Sequence, residues 1–213
     1  MNRVFSAFLF FILFACTDKK EKGLENSVAE TIPTRQPAEK PLDSALVQWL
    51  SYYQADNPEF TKDKFRLTET SAITYSPSNV IVLNQKGFNE IYKPFLVFNT
   101  GKTAYLDFDS YHWILAKDGS ASFEADQQVV LVDLKTKTAK QIAFFGPSFR
   151  IEEAYWAKDS TAVLLGNTYE KVPFMLRFNF AKNTKQHFQY PDTLKFEKPY
   201  TEIRMQKFGI STE

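Results

Sequence analysis

Cysteine, glycine and an excess of charge are what this sequence lacks. Its 213 residues include one cysteine, Cys16, which excludes an intramolecular disulfide and any metal site built on several cysteines. Lysine and arginine number 26 against 25 aspartates and glutamates, so the formal net charge is +1. Such a chain lacks the basic surface expected of a nucleic-acid-binding protein. Seven glycines exclude collagen-like and glycine-rich low-complexity chains.

Histidine is nearly as scarce, and the familiar catalytic fingerprints are missing. The two histidines, His112 and His187, lie far apart, and no HExxH spacing supports a zinc site. The chain has no Walker loop, no GxGxxG fingerprint and no GxSxG nucleophile elbow. We therefore predict no metal and no cofactor. Aromatic residues, by contrast, are plentiful: 21 phenylalanines and ten tyrosines supply ample material for a folded core.

The apolar run at the N-terminus is short. Val4 to Ala15 is apolar apart from Ser6, which is too little to span a bilayer but fits the apolar region of a secretory signal peptide. The run ends in Leu13-Phe14-Ala15-Cys16, which resembles the lipobox of bacterial lipoproteins. The matching features are an aliphatic residue three places before the cysteine and a small residue just before it. Phe14 departs from the pattern, because the family usually has a smaller residue there.

This resemblance implies a processed and lipidated protein. Residues 1–15 would be removed as a signal peptide, and the Cys16 thiol would carry a diacylglycerol that attaches the chain to a membrane of the bacterial envelope. Thr17 favours the outer membrane, because aspartate at that place retains such proteins at the inner membrane. Cleavage removes Arg3 alone among the charged residues, so 26 − 1 = 25 basic side chains balance 25 acidic ones.

Residues 16–41 contain the lipidated cysteine and a polar, mixed-charge stretch with three prolines. This composition predicts a disordered tether, and the alternative is a peptide that binds a partner. Residues 42–62 form the predicted helical segment. Asp43 is its predicted N-cap, and Asn57-Pro58 is predicted to end it. Its apolar positions recur at helical spacing: Leu42, Leu46, Trp49, Leu50 and Tyr53. This face either packs on the following sheet or presents its aromatic side chains to a ligand.

Residues 63–213 have the pattern of an antiparallel β-domain without further helices. Three hairpins are predicted around polar turns at 99–102, 135–138 and 181–184, and Asn79 to Leu83 is a further candidate strand. Shorter runs, 111–115 and 153–157, each precede a turn that contains Lys-Asp. The fold class is therefore mainly β, an antiparallel meander preceded by one amphipathic helix.

A short pattern occurs twice. Trp113 to Ser120 and Trp156 to Ser160 both place Ala-Lys-Asp and a small residue after a tryptophan, about 41 residues apart. The pattern resembles the repeats of bacterial WD-like and TolB-like β-propellers over residues 95–190. The resemblance implies propeller-like blades, but a closed propeller needs about four to eight of them and the chain is too short. An incomplete propeller, an open meander and a two-sheet domain remain as alternatives.

The candidate site residues are carboxylates and aromatic side chains. If one strand continues through 107–112, Asp107, Asp109 and Tyr111 share a face. The two carboxylates then suit either an acid–base pair or a Ca²⁺ site, and the alternative is a solvated strand end. Glu152 and Glu153 are adjacent, which predicts opposite faces and a poor pair. Five aromatic residues lie near the repeat turns and are either binding residues or core: Tyr111, Trp113, Tyr155, Trp156 and Tyr169.

Three functions follow as hypotheses. The first is a lipid-anchored, non-catalytic envelope protein whose β-domain binds a protein or a glycan, which predicts an exposed aromatic patch. The second is a small envelope hydrolase that uses Asp107 and Asp109, which predicts a pocket where they converge. The third is a structural subunit of an envelope complex, which predicts an unpaired sheet edge for a partner to complete.

Overall fold

Thirteen strands and two α-helices follow one another along residues 44–212, the part of the chain that the computed structural model describes. The strands are β1 (Arg66–Ala72), β2 (Ser76–Pro77), β3 (Val97–Phe98), β4 (Ala104–Asp107), β5 (Trp113–Leu115), β6 (Ser120–Phe123), β7 (Gln127–Asp133), β8 (Thr138–Phe145), β9 (Phe149–Lys158), β10 (Thr161–Thr168), β11 (Pro173–Asn179), β12 (Thr184–Gln189) and β13 (Ser211–Thr212). The helices are α1 (Ser44–Gln54) and α2 (Tyr200–Gln206), with 3₁₀ helices at Lys62–Lys64 and Glu90–Phe95. The lipobox, the tether and the Asp43 cap lie outside the described residues.

The strands form three sheets. Sheet A has the order β1-β12-β11-β10-β9, sheet B the order β2-β8-β7-β4-β3, and sheet C the order β13-β6-β5. Every pairing is antiparallel except that of β13 with β6. Within residues 44–212 the fold is thus mainly β, as predicted. The three hairpins around 99–102, 135–138 and 181–184 are confirmed as β3–β4, β7–β8 and β11–β12.

Sheets A and B share one hydrophobic core. Leu164 and Phe174 of sheet A lie in the same buried cluster as Leu106 and Val129 of sheet B. Alternate residues of these strands point away from that core and need their own cover. The segment 80–96 covers the outer face of sheet B. Its Val82 and Leu96 pack with Tyr105, Val130 and Val132 of the sheet.

Helix α1 covers the outer face of sheet A. Leu46, Trp49 and Tyr53 are buried against Val163 and Leu165 of β10, as the helical spacing predicts for a face that packs on the sheet. Val47 is exposed on the other side of the helix. Near its C-terminus the side-chain amide of Asn57 donates to the Tyr53 carbonyl, which satisfies one of the carbonyls that a helix end leaves free. No helix within residues 44–212 is long and apolar enough to span a membrane.

Two expectations about secondary structure are wrong. Asn79 to Leu83 does not form a strand, because the Val80 amide bonds to the Ser78 hydroxyl and the Leu83 amide to the Tyr105 hydroxyl instead of to a neighbouring strand. The absence of helices after residue 63 is contradicted by α2. That helix is only seven residues long and buries Arg204 beside Met205, so a search for apolar periodicity does not detect it.

The propeller-like repeats are not confirmed. Trp113 lies on β5 in sheet C, whereas Trp156 lies on β9 in sheet A, so the two copies of the pattern belong to different sheets. Both do place their Lys-Asp turn at a hairpin, β5–β6 and β9–β10 respectively. The shared letters therefore encode turn chemistry rather than equivalent blades.

Gly166 lies where β9 and β10 pair irregularly. Leu165 pairs with Glu153 and Gly166 with Ile151, so the register passes over Glu152, as in a β-bulge. A Cβ at Gly166 would collide with the Arg150 carbonyl oxygen and come within 2.7 Å of the Phe174 ring. Glycine is thus required here for close approach of the two strands.

Gly166→Ala is expected to lower the free energy of unfolding by at least about 2 kcal/mol, because backbone and a core ring must move to admit the methyl group. Chemical denaturation measures the change. Gly146→Ala is the matched control, since its nearest atom would lie at 3.9 Å, and its effect is expected within about 0.5 kcal/mol. Equal effects of the two substitutions would contradict this account of the bulge.

Candidate functional site

Glu152 is the most buried acidic side chain associated with the bulge, with 0% of its surface exposed. It accepts hydrogen bonds from Trp49 Nε1 at 2.8 Å, the Tyr53 hydroxyl at 2.7 Å, Asn167 Nδ2 at 2.8 Å and the Tyr200 backbone N–H at 3.1 Å. These donors belong to α1, β10 and the first residue of α2. One carboxylate therefore joins both helices to sheet A.

Burial dominates the electrostatics of Glu152. Loss of hydration raises the pKa of its carboxyl group above the ordinary value of 4.5, although the bonds from Trp49, Tyr53 and Asn167 oppose the shift. The same burial, together with the nearby Glu152 charge, raises the pKa of Tyr53, so Tyr53 remains a donor. The donors bonded to this carboxylate come from α1, β10 and α2, so the arrangement joins these three elements.

Asp109 forms a buried ion pair with Arg204 of α2. Both carboxylate oxygens accept from the guanidinium, at 2.6 Å and 2.9 Å, and the guanidinium lies 4.9 Å from the centre of the Phe108 ring. Burial opposes the charge on Arg204, but Asp109 outweighs it and raises the pKa of the guanidinium. Asp109 therefore connects the β4–β5 loop to α2.

Asp107 is buried as well, but it faces a different environment. It ends β4, and its carboxylate accepts from the Asp109 and Ser110 amides and the Ser110 hydroxyl. Burial raises the pKa of its carboxyl group. The expectation of a solvated strand end is wrong, since Asp107 and Asp109 are 3% and 1% exposed. The shared strand face with Tyr111 is also wrong, because the chain turns after Asp107 and no strand continues through residues 108–112.

The five candidate aromatic residues occupy different environments. Trp113 and Trp156 are buried, and Tyr155 is partly buried. Tyr169 is 81% exposed and Tyr111 is 44% exposed. Tyr111 packs edge-on against the half-exposed Phe144, with ring centres 5.9 Å apart. Phe149 is also exposed, and it lines a cleft together with Phe144. Tyr111, Phe144 and Phe149 are called the aromatic patch below.

A groove of about 360 Å³ adjoins Tyr111. It is called the Tyr111 groove. Asp107 and Gln128 line it from β4 and β7, and Ser110 and Tyr111 line it from the loop after β4. Pro77 of β2 and the chain between β2 and β3 form the remaining wall. Its lining residues are Pro77, Asn79, Val80, Ile81, Gly87, Phe88, Asn89, Tyr92, Asp107, Ser110, Tyr111 and Gln128.

The histidines are separate from this groove. His112 is buried, with Nδ1 bonded to the Asp126 carbonyl, and burial lowers its pKa. His187 lies beside Phe174 in a second cleft of about 320 Å³, and burial lowers its pKa also. Among residues 44–212 no three histidine, cysteine, aspartate or glutamate side chains are grouped so as to hold a metal ion.

Comparison of the chain with models of protein families, with characterised proteins and with solved structures found no match.

The sequence indicates neither the buried position of Glu152 nor the set of residues that line the Tyr111 groove. Strict alternation predicts Glu152 as half of a poor carboxylate pair, opposite Glu153; the bulge breaks that alternation and buries both. The lining of the groove comes from three separated stretches, so no local motif marks it. Gly166 is the one sequence signal of the bulge, as a glycine inside an apolar strand.

Glu152→Gln is expected to lower the free energy of unfolding by about 1–3 kcal/mol, because an amide presents two N–H groups where four donors converge. The native carboxyl has a raised pKa, so its contribution is greatest at low pH and declines as the pH rises above 4.5 through the raised value. The difference in free energy of unfolding between wild type and Glu152→Gln therefore narrows with rising pH. Denaturation at several pH values measures this gap. Exposed Glu170→Gln is the control, and a gap that widens with pH would contradict the assignment.

Proposed function

We propose that this protein is a lipid-anchored component of the bacterial cell envelope whose β-domain binds a partner without catalysis. The anchor is Cys16 within Leu13-Phe14-Ala15-Cys16, and residues 17–41 are the tether. Thr17 supports the outer membrane as its location. The partner is a glycan or a protein of the envelope. Residues 1–41 contribute the location, and the domain beyond them contributes the binding.

The observation that carries the binding role is the aromatic patch. Tyr111, Phe144 and Phe149 leave large ring surfaces in water although the chain has a well-filled core elsewhere. Grouped exposed aromatic side chains beside a groove are typical of recognition surfaces, where a few such residues supply most of the binding free energy.

The other two hypotheses have less support. A hydrolase that uses Asp107 and Asp109 needs both carboxylates in one pocket, whereas both oxygens of Asp109 are bonded to Arg204. A subunit whose sheet is completed by a partner needs an edge ready to pair. β1 is an edge strand of sheet A and is exposed, but Arg66 and Glu69 place charges along it, which discourages edge pairing.

The anchor is tested by metabolic labelling with a palmitate analogue in a Gram-negative host. The wild-type chain is expected to incorporate the label and to remain with the membrane fraction until detergent is added. Cys16→Ser is expected to carry no label, because the acylated thiol is gone. Thr17→Ser leaves the cysteine in place and is expected to be labelled normally. Label on the Cys16→Ser chain, or none on wild type, would contradict the lipoprotein assignment.

The binding role is tested by affinity capture from the detergent-solubilised envelope of the protein's own cell. Wild type is expected to enrich a reproducible component, and Tyr111→Ala with Phe144→Ala is expected to lose about tenfold of that enrichment. The control removes two exposed aliphatic side chains elsewhere, Val47→Ala with Leu67→Ala, and is expected to behave like wild type. Enrichment that is unchanged in the aromatic variant would refute the patch as the binding surface.

A further inference from the structure

Few ionisable side chains line the Tyr111 groove, and none of those described is basic. Among the described residues, Asp107 is the one ionisable acid or base that lines it apart from the tyrosine hydroxyls, and no lysine, arginine or histidine does. Recognition of phosphate, sulfate or carboxylate groups relies on such cations or on helix N-termini. A groove of this composition is therefore unsuited to nucleotides, anionic lipid headgroups and acidic polysaccharides.

Neutral hydrogen-bonding groups are abundant instead. Asn79, Asn89, Ser110 and Gln128 all line the groove. The amide group of Asn79 and the side-chain N–H groups of Asn89 make no hydrogen bond with other described residues, while Asn89 Oδ1 accepts from the Ile91 amide. Each side-chain amide offers two donors and an acceptor, which suits a ligand with several hydroxyl groups. Gln128 is held in place by its bond to Gln141, at 2.6 Å.

Tyr111 adds an apolar surface at a fixed angle. Its ring is packed edge-on against Phe144, with 70° between the ring planes, and nearly half of its surface faces solvent. A ring that is held in this way loses little conformational entropy when a ligand settles on its face. Aromatic surface beside neutral donors and acceptors matches a sugar ring, which has apolar C–H faces and a hydroxylated rim.

The wall of the groove argues against an extended peptide. Peptides commonly bind by adding a strand to an exposed sheet edge through backbone hydrogen bonds. The edge strand beside this groove is β2, which has two residues, and one of them is Pro77 without an N–H group. The volume of about 360 Å³ lies at the small end of the range for ligand sites, about 300–1,000 Å³, which suits a few sugar units.

We infer that the Tyr111 groove binds a neutral saccharide, with one sugar ring on the face of Tyr111 and its hydroxyl groups toward Asn79, Asn89 and Gln128. The Asp107 carboxylate has accepting capacity left beyond its bonds to the Asp109 and Ser110 amides and the Ser110 hydroxyl, and it accepts a further sugar hydroxyl. The inference rests on the proposed binding function and assigns the glycan, rather than a protein, as the partner.

Isothermal titration calorimetry of the full mature chain in detergent tests the inference. The neutral probes are trimers of N-acetylglucosamine, glucose and mannose, and a galacturonic acid trimer is the anionic counterpart. At least one neutral trimer is expected to bind, and the anionic trimer is expected not to bind. Tyr111→Ala is expected to weaken binding at least about tenfold, as truncation of a central aromatic contact does, whereas Tyr111→Phe keeps the ring and most of the affinity.

The control is matched in residue type. Tyr169→Ala removes a tyrosine that is 81% exposed and lines neither cleft, and it is expected to leave the affinity unchanged. Thermal unfolding of each variant verifies that the domain is folded. Equal loss from Tyr111→Ala and Tyr169→Ala, or equal binding of the anionic trimer, would overturn the inference.

The outcomes also separate the inference from the proposed function. If no neutral trimer binds while capture from the envelope still depends on Tyr111 and Phe144, the saccharide assignment is overturned and the binding role stands. Capture of a protein that binds through Tyr111 and Phe144 likewise overturns the saccharide assignment and leaves the binding role standing. If neither sugar binding nor capture depends on these side chains, both proposals fail.

Discussion

The Glu152 carboxylate is the constraint around which the described domain is arranged. A buried acid is costly to hold unless donors surround it, and here the donors come from α1, β10 and the start of α2. The β9 bulge turns this side chain toward the helices, and the bulge in turn requires glycine at position 166. Packing of α1 on sheet A and the placement of α2 thus depend on one irregular pairing.

Arg204 extends this arrangement toward the proposed binding surface. Its pair with Asp109 holds the loop that follows β4, and two residues before Asp109 the Asp107 carboxylate lines the Tyr111 groove. Tyr111 follows two residues after Asp109, and its half-exposed ring lines the same groove. The groove therefore has a rigid base on a buried ion pair, which favours recognition with little rearrangement.

Local chemistry in the sequence predicts the elements that depend on neighbours in the chain. The three hairpins follow from polar turns between alternating strands, and α1 follows from the spacing of Leu46, Trp49 and Tyr53. Helix α2 escapes prediction because Arg204 interrupts its apolar face, and the 79–83 run resembles a strand because Val80 and Val82 are apolar. Glu152 and the groove depend on partners distant in sequence, which no local pattern reveals.

The distances along the chain between the groups that surround Glu152 have a consequence for how the protein is made. Trp49 is separated from its acceptor by 103 residues and Tyr53 by 99, and the last donor, Tyr200, follows 48 residues later. A growing chain therefore exposes the apolar face of α1 long before its acceptor exists. Contacts of such range slow folding and leave apolar surface open to aggregation. The hydrogen bonds that hold both helices to sheet A are therefore complete only after residue 200 has been synthesised.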